Sequence, residues 1–165
     1  MVKEPIEIRK EIFNLLSQIP DPEIPVLNIV EMGIVRDAYI VNGKLKVNIT
    51  PTYSGCPAMK PIEDDIVKLL EESGYQATEV NLVYYPPWTT DWLTHEAKQK
   101  LEECGIAPPQ NTDESHDLNY QFTGILCPFC NSADTRLTSV FGSTSCKSLH
   151  YCNACQQPFE HFKCS

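Results

Sequence analysis

The chain has 165 residues and a mass of 18.7 kDa, enough for one domain, or one domain with a small appendage, and too little for a large multidomain enzyme. Hydrophobic residues make up 42% and charged residues 21%, a balance that lets the chain bury a core and excludes wholesale disorder. Thirteen Lys and Arg against 22 Asp and Glu give a formal charge of -9, so the phosphates of nucleic acid are repelled by the chain as a whole.

The opening MVKEPIEIRKEIF carries charges every few residues and lacks the apolar stretch of a signal peptide or membrane span, so a cytoplasmic protein with no membrane partner is expected. Ile8, Ile12, Leu15, Leu16 and Ile19 then fall on one face of an amphipathic helix that Pro20 and Pro22 end. A loop, DPEIPVLNIVEMG, follows. Residues 34–41 and 44–50 read as two strands, and the Asn42-Gly43 pair between them is what a two-residue type I′ hairpin prefers. Ile62, Ile66, Leu69 and Leu70 mark a second helix closed by Gly74; Val80, Leu82 and Tyr84 suggest a third strand. A last helix is expected from Thr90 or Asp91 to Cys104, stopped by Gly105. The order helix, hairpin, helix, strand, helix predicts a small two-layer α+β domain over residues 1–107.

Cys56 is the residue of most chemical interest in this domain. It follows a strand through TPTYSG and precedes Pro57, a favoured first residue of a helix, so its sulfur is expected beside a helix N-terminus that stabilises a thiolate. A small buried hydrophobe is the other reading of a free cysteine. Asp21 and Glu23 of the Asp-Pro-Glu turn could bring carboxylates to the same place, or simply end a helix as exposed acids. Thr50 and Thr52 fit ordinary strand-end positions. Glu63, Asp64 and Asp65 are expected in the first turn of the second helix, where acids complement its dipole.

The segments DPEIPVLNIVEMGIV and TPTYSGCP, taken together, resemble the iron-sulfur assembly domain family that includes SufT, over roughly residues 5–105. Through YYPPWTTDWLTHEAKQKLEECGIAPP and the cysteine-rich tail, the chain resembles the PaaD family more narrowly, the accessory subunits of bacterial phenylacetyl-CoA epoxidase systems. The resemblance implies that Cys56 is the functional cysteine, handling iron or an iron-sulfur cluster in transit. It also implies that Asp21 and Glu23 belong to the same surface and that Thr50 and Thr52 flank it. The clients it implies are the epoxidase's oxygenase component, with a di-iron centre, and its reductase component, with flavin and a 2Fe-2S cluster. The segment YYPPWTTDW holds four aromatics, among them Trp88 and Trp92, which could cover the open end of a small core or anchor a protein partner.

Residues 108–120 read as a linker, where prolines precede a polar run without period, and both charge and cysteine content change across it. Residues 1–119 carry 10 basic and 20 acidic side chains, the remainder three and two, while six of the eight cysteines fall after residue 126. In residues 121–165, Cys127-Pro-Phe-Cys130 and Cys152-Asn-Ala-Cys155 form two CxxC knuckles at the spacing of a four-cysteine zinc site. A segment this short needs a staple, so one structural zinc per chain is expected to hold a zinc ribbon whose strands include TRLTSVF and PFEHFK. An iron-sulfur cluster on the same four sulfurs is the rival, since thiolates suit both. Cys146 and Cys164 are auxiliary candidates that could replace a knuckle sulfur or pair with each other, with His150 and His161 behind them.

No catalytic constellation and no glycine-rich phosphate loop is visible, so a non-catalytic accessory factor is expected, assisting iron or iron-sulfur centre assembly in the epoxidase components. The alternative of another class is an electron-transfer protein with a stable cluster in the tail. One functional cysteine per chain leaves a transfer site incomplete unless a client or a second chain completes it, so a homodimer is open to this protein.

Overall fold

The computed structural model describes residues 5–110 and 124–163. Most of the expected linker and Cys164 lie outside the described residues. The chain forms two compact units that divide between Thr94 and His95.

The first unit begins with α1 (Pro5–Leu16), which buries Ile12 and Leu16 at the expected four-residue spacing. Ile19 is buried in the turn that follows. The loop from Pro20 to Ile34 is irregular yet anchored, because Ile24, Leu27, Ile29 and Met32 all enter the core. Its backbone groups are satisfied locally: Asn28 Oδ1 accepts from the N–H groups of Val30 and Glu31, and Glu31 Oε2 accepts from Asn28 N–H.

Strands β1 (Val35–Val41) and β2 (Lys44–Ile49) pair antiparallel around Asn42 (φ 51) and Gly43 (φ 75), the two positive φ values that a type I′ turn requires. Leu45, Val47 and Ile49 of β2 point inward and are buried. Helix α2 (Met59–Glu72) buries Met59, Ile62, Ile66 and Leu70 along one face and ends in a Schellman motif, Gly74 N–H donating to Glu71 O and Tyr75 N–H to Leu70 O. The Tyr75 hydroxyl donates to Glu11 Oε1 at 2.8 Å, tying the end of α2 to α1.

Strand β3 (Glu79–Leu82) lies parallel to β2, giving sheet order β1-β2-β3 with α2 as the crossover. Because β2 and β3 run the same way, the loop carrying Cys56 and the segment starting at Val83 leave the sheet at one end. The acids Glu63, Asp64 and Asp65 do not occupy the first turn, because α2 starts at Met59 and not at Pro57; instead Lys60 pairs with Asp64 at 2.9 Å and Glu63 at 3.6 Å.

The expected helix from residue 90 to 104 is interrupted. A 3-10 turn (Thr90–Trp92) is followed by extended Leu93, and α3 (His95–Glu103) starts afresh. The break has a tertiary cause: Thr94 N–H donates to Glu31 O at 3.1 Å, which takes it out of the helical ladder. The two Trp residues divide from the two Tyr residues of the same stretch. Trp88 is buried with its indole N–H donating to Met32 O at 2.8 Å, and the Arg36 guanidinium sits 3.9 Å from the Trp92 ring centroid; Tyr84 and Tyr85 are exposed.

In the second unit, α3 and β4 (Ile106–Ala107) group with the cysteine-rich tail. Strand β4 pairs parallel to β7 (Pro158–Phe162), which pairs antiparallel to β6 (Lys147–Cys152), and β6 to β5 (Thr135–Ser139). At the end of α3, Gly105 has φ +76, and a Cβ there would lie 2.9 Å from the Phe129 ring of the first knuckle. No other residue suits that position. One apolar cluster of this unit joins Ala107, Ile125, Cys127, Cys152 and Phe159, with Cys155 against it. Among the described residues, no helix is long and apolar enough to cross a membrane.

Candidate functional site

The two knuckles are built alike. Asn131 N–H donates to Cys127 O and Cys127 N–H to Ser132 O; Gln156 N–H donates to Cys152 O and Cys152 N–H to Gln157 O. Asn131 (φ 60) and Gln156 (φ 59), each next to the second cysteine of its knuckle, take the left-handed conformation that closes the turn. The turns face each other so that Cys127 Sγ lies 3.6 Å from Cys155 Sγ, and Cys130 Sγ 3.6 Å from Cys152 Sγ. All four sulfurs lie within 4.8 Å of one another.

A tetrahedron with metal–sulfur bonds of about 2.3 Å has edges of about 3.8 Å, so the spacing fits one ion held by four thiolates. A cluster spreads its cysteines over two or four irons and holds their sulfurs wider apart than this. The electrostatics agree with a cation-dependent site. Backbone N–H groups of Cys155 and Ala154 draw the Cys152 thiol down to about 7, whereas desolvation and the neighbouring sulfurs push Cys155 up to about 12. Four thiolates cannot all form so close together without a positive charge between them.

The auxiliary candidates stand apart from this group. Cys146 is buried with its sulfur 3.0 Å from Thr144 Oγ1, and among the described residues the metal-holding group consists of the four knuckle cysteines. His150 and His161 are buried on β6 and β7, one on each side of Ser148, whose hydroxyl lies 3.0 Å from His150 Nε2 and 3.5 Å from His161 Nδ1. Burial pushes His150 down to about 4, and burial, His150 and Lys163 push His161 down to about 3, so both are neutral near pH 7.

Cys56 lies on the turn between β2 and α2. Its N–H donates to Tyr53 O at 3.3 Å, and the N–H of Ala58, just before the helix, points at its sulfur. That N–H favours the thiolate, as a helix N-terminus should. It is outweighed: burial of the half-buried thiol pushes its pKa up, and the Glu23 and Asp21 carboxylates add to the rise. The expected thiolate-favouring setting is therefore not what the turn provides in the absence of a cation; a bound cation would have to displace the thiol proton.

Asp21 is buried, not an exposed helix-ending acid, and its Oδ1 accepts from the N–H groups of Glu23 and Ile24 at 2.8 Å each, capping the Asp-Pro-Glu turn. Glu23 is half-buried and accepts from the Tyr53 hydroxyl at 3.0 Å. Thr50 and Thr52, which precede the Cys56 turn in sequence, are both buried, and Thr50 N–H donates to Ile34 O. Tyr53 is the residue that sequence reasoning passed over. Its hydroxyl is hydrogen-bonded to both Glu23 and Cys56, and burial together with those two groups pushes its pKa up.

Residues 9–82 match the model of the iron-sulfur cluster assembly protein family, and residues 111–163 that of the PaaD zinc beta ribbon domain. A protein of Escherichia coli (strain K12), provisionally named as a component of 1,2-phenylacetyl-CoA epoxidase, is 44% identical over 93% of this chain and 92% of its own length. The chain belongs to the PaaD family. Beyond that family, it is similar to the Fe-S protein maturation auxiliary factor YitW of Bacillus subtilis (strain 168), with 36% identity over 57% of this chain and 93% of that one. Among solved structures, a DUF59 domain from Bacillus anthracis matches with a TM-score of 0.55 and 29% identity, covering 59% of this chain and 93% of that one. The α+β fold and the cysteine tetrad of this PaaD-family chain thus correspond to its two matched segments.

Proposed function

We propose that this protein is a non-catalytic accessory factor of a phenylacetyl-CoA epoxidase system that assists assembly of iron or iron-sulfur centres in the oxygenase or reductase components. In this reading Cys56 holds the cargo in transit. Glu23 offers it a carboxylate, Asp21 shapes the turn that presents Glu23, and Thr50 and Thr52 are buried in the segment leading to Cys56. The observation that carries the reading is the convergence of Glu23, from the Asp-Pro-Glu turn, with Tyr53 and Cys56 of the turn after β2, in a chain similar over nearly its whole length to a protein named as an epoxidase component.

One cysteine and one carboxylate make an incomplete coordination set, which suits a carrier that must release its cargo. A client, or a second copy of the chain, would supply the remaining ligands. The tail cysteines would hold one zinc ion for a structural purpose, since all four positions are closed and the apolar cluster around them is small. The close packing of the four sulfurs speaks against the electron-transfer alternative.

Elemental analysis of protein purified without oxygen tests both halves of the proposal. One zinc per chain is expected in the natural chain and in Cys56→Ala, with iron bound after reconstitution by the natural chain alone. Stoichiometric iron that survives Cys56→Ala would place the cargo elsewhere and overturn the reading.

A further inference from the structure

The Tyr53 hydroxyl stands where the two candidate cargo ligands converge. It donates to Glu23 Oε1 at 3.0 Å and shares a hydrogen bond with Cys56. A phenol has one proton to give, so the arrangement consistent with a carboxylate at Glu23 is thiol to phenol oxygen and phenol to carboxylate. The phenol thus occupies a lone pair of Glu23 Oε1 and holds the thiol proton of Cys56, and a cation bound by both residues would have to replace it at each. Tyr53 and Cys56 are the ends of one tight turn, closed by Cys56 N–H to Tyr53 O at 3.3 Å, with Ser54 and Gly55 exposed at its tip. Gly55 has φ +77, which a type II turn requires at that position, and open space beyond it. The Tyr53 ring is only half-buried, so it can leave without opening the core.

We propose that Tyr53 is a latch on the cargo site: its hydroxyl competes with a divalent cation for Glu23 and Cys56 and must swing away before the cation is held. This inference rests on the reading of Cys56 as the cargo cysteine and adds a positioning residue to it. The ligand class is a borderline divalent ion, Fe2+ in the proposed role, taken by one thiolate and one carboxylate. The latch keeps the affinity of the lone chain low, and a client that displaces the phenol would raise it.

Cobalt(II) is the probe, added to the full chain with zinc already in the tail, where four thiolates hold zinc more tightly than cobalt. Binding at Cys56 is read from the thiolate-to-cobalt charge-transfer band. Tyr53→Phe is expected to bind cobalt about tenfold more tightly than the natural chain, because a hydrogen bond to a charged group no longer has to be broken, with a band of similar intensity. Glu23→Gln is expected to bind more weakly, which separates a lost competitor from a general loosening of the turn. Unchanged or weaker binding by Tyr53→Phe, with the band present in the natural chain and lost in Cys56→Ala, overturns the latch alone. The same absorbance in the natural chain and Cys56→Ala overturns the cargo reading and the latch with it.

Discussion

Cys127 Sγ and Cys155 Sγ lie 3.6 Å apart, so the first cysteine of one knuckle meets the second cysteine of the other, and Cys130 and Cys152 repeat the contact at the same distance. The crossed arrangement ties β6 to the turn before β5 through whatever ion sits among the sulfurs. Among the described residues the apolar cluster beside it is Ala107, Ile125, Cys127, Cys152 and Phe159, two of which are themselves knuckle cysteines. The metal therefore carries folding free energy that this core cannot supply. Chelation at neutral pH is expected to collapse the dispersed amide resonances of residues 124–163 while those of α1, α2 and β1 to β3 persist. Cys152→Ser is expected to give the same spectrum without chelator. Retention of the tail's dispersion after complete metal removal would show that the ion is dispensable.

Gly105 separates two costs that a glycine can conceal. Its φ of +76 is unfavourable for any side chain, and its Cβ position also meets the Phe129 ring at 2.9 Å. Gly43 has a similar φ of +75 with open space around it. Gly43→Ala should therefore cost about 1 kcal/mol from backbone strain alone, and Gly105→Ala about 2–4 kcal/mol once displacement of the ring is added. Denaturant titration of both variants checks the order; equal losses would remove the Phe129 contact from the explanation.

Trp88 places its indole N–H 2.8 Å from Met32 O in a buried position. Trp88→Phe keeps most of the apolar volume but leaves that carbonyl unpaired, with an expected loss of about 1–3 kcal/mol. Trp88→Ala adds a cavity and should lose about 3–5 kcal/mol. If Trp88→Phe proves neutral in thermal unfolding, the hydrogen bond contributes little and the ring acts by volume alone.

His161 predicts an acid-side weakness. Burial, His150 and Lys163 push it from 6.5 down to about 3 in the folded chain. The unfolded chain therefore takes up the proton first as pH falls, and the stability present above pH 6.5 is lost progressively as pH drops towards 3. Replacing the ring by a group that does not titrate, as in His161→Gln, should flatten the stability of the second unit between pH 6.5 and 4 when both chains are compared at equal metal occupancy. An acid limb as steep in the variant as in the natural chain would assign the loss to other groups.

How much of this was legible from residues alone follows from where hydrophobic patterning is simple. Ile12 and Leu16, the Asn42-Gly43 turn and Leu45, Val47 and Ile49 announce α1 and the hairpin because one face is apolar and the other is not. Strand β6 escaped notice for the opposite reason: Lys147, Ser148, His150 and Cys152 are its buried residues while Leu149 and Tyr151 are only partly buried, so the usual alternation is inverted. The helix break at Thr94 depends on a long-range bond to Glu31 O that no local pattern encodes. The knuckle cysteines were readable because metal geometry fixes their spacing in sequence. Tyr53 was not, since it matters only through a 3.0 Å contact with a residue thirty positions earlier.

The central claim is that Cys56 carries iron or a cluster to the epoxidase components. It is tested most directly by the iron and sulfide content of the reductase component produced in cells together with the natural chain, Cys56→Ser or Cys104→Ser. Cys104 is an exposed cysteine in α3's C-terminal turn and serves as the control. The account predicts full cluster content with the natural chain and with Cys104→Ser, and with Cys56→Ser a content no higher than in cells lacking the chain altogether. Full cluster content with Cys56→Ser would contradict it.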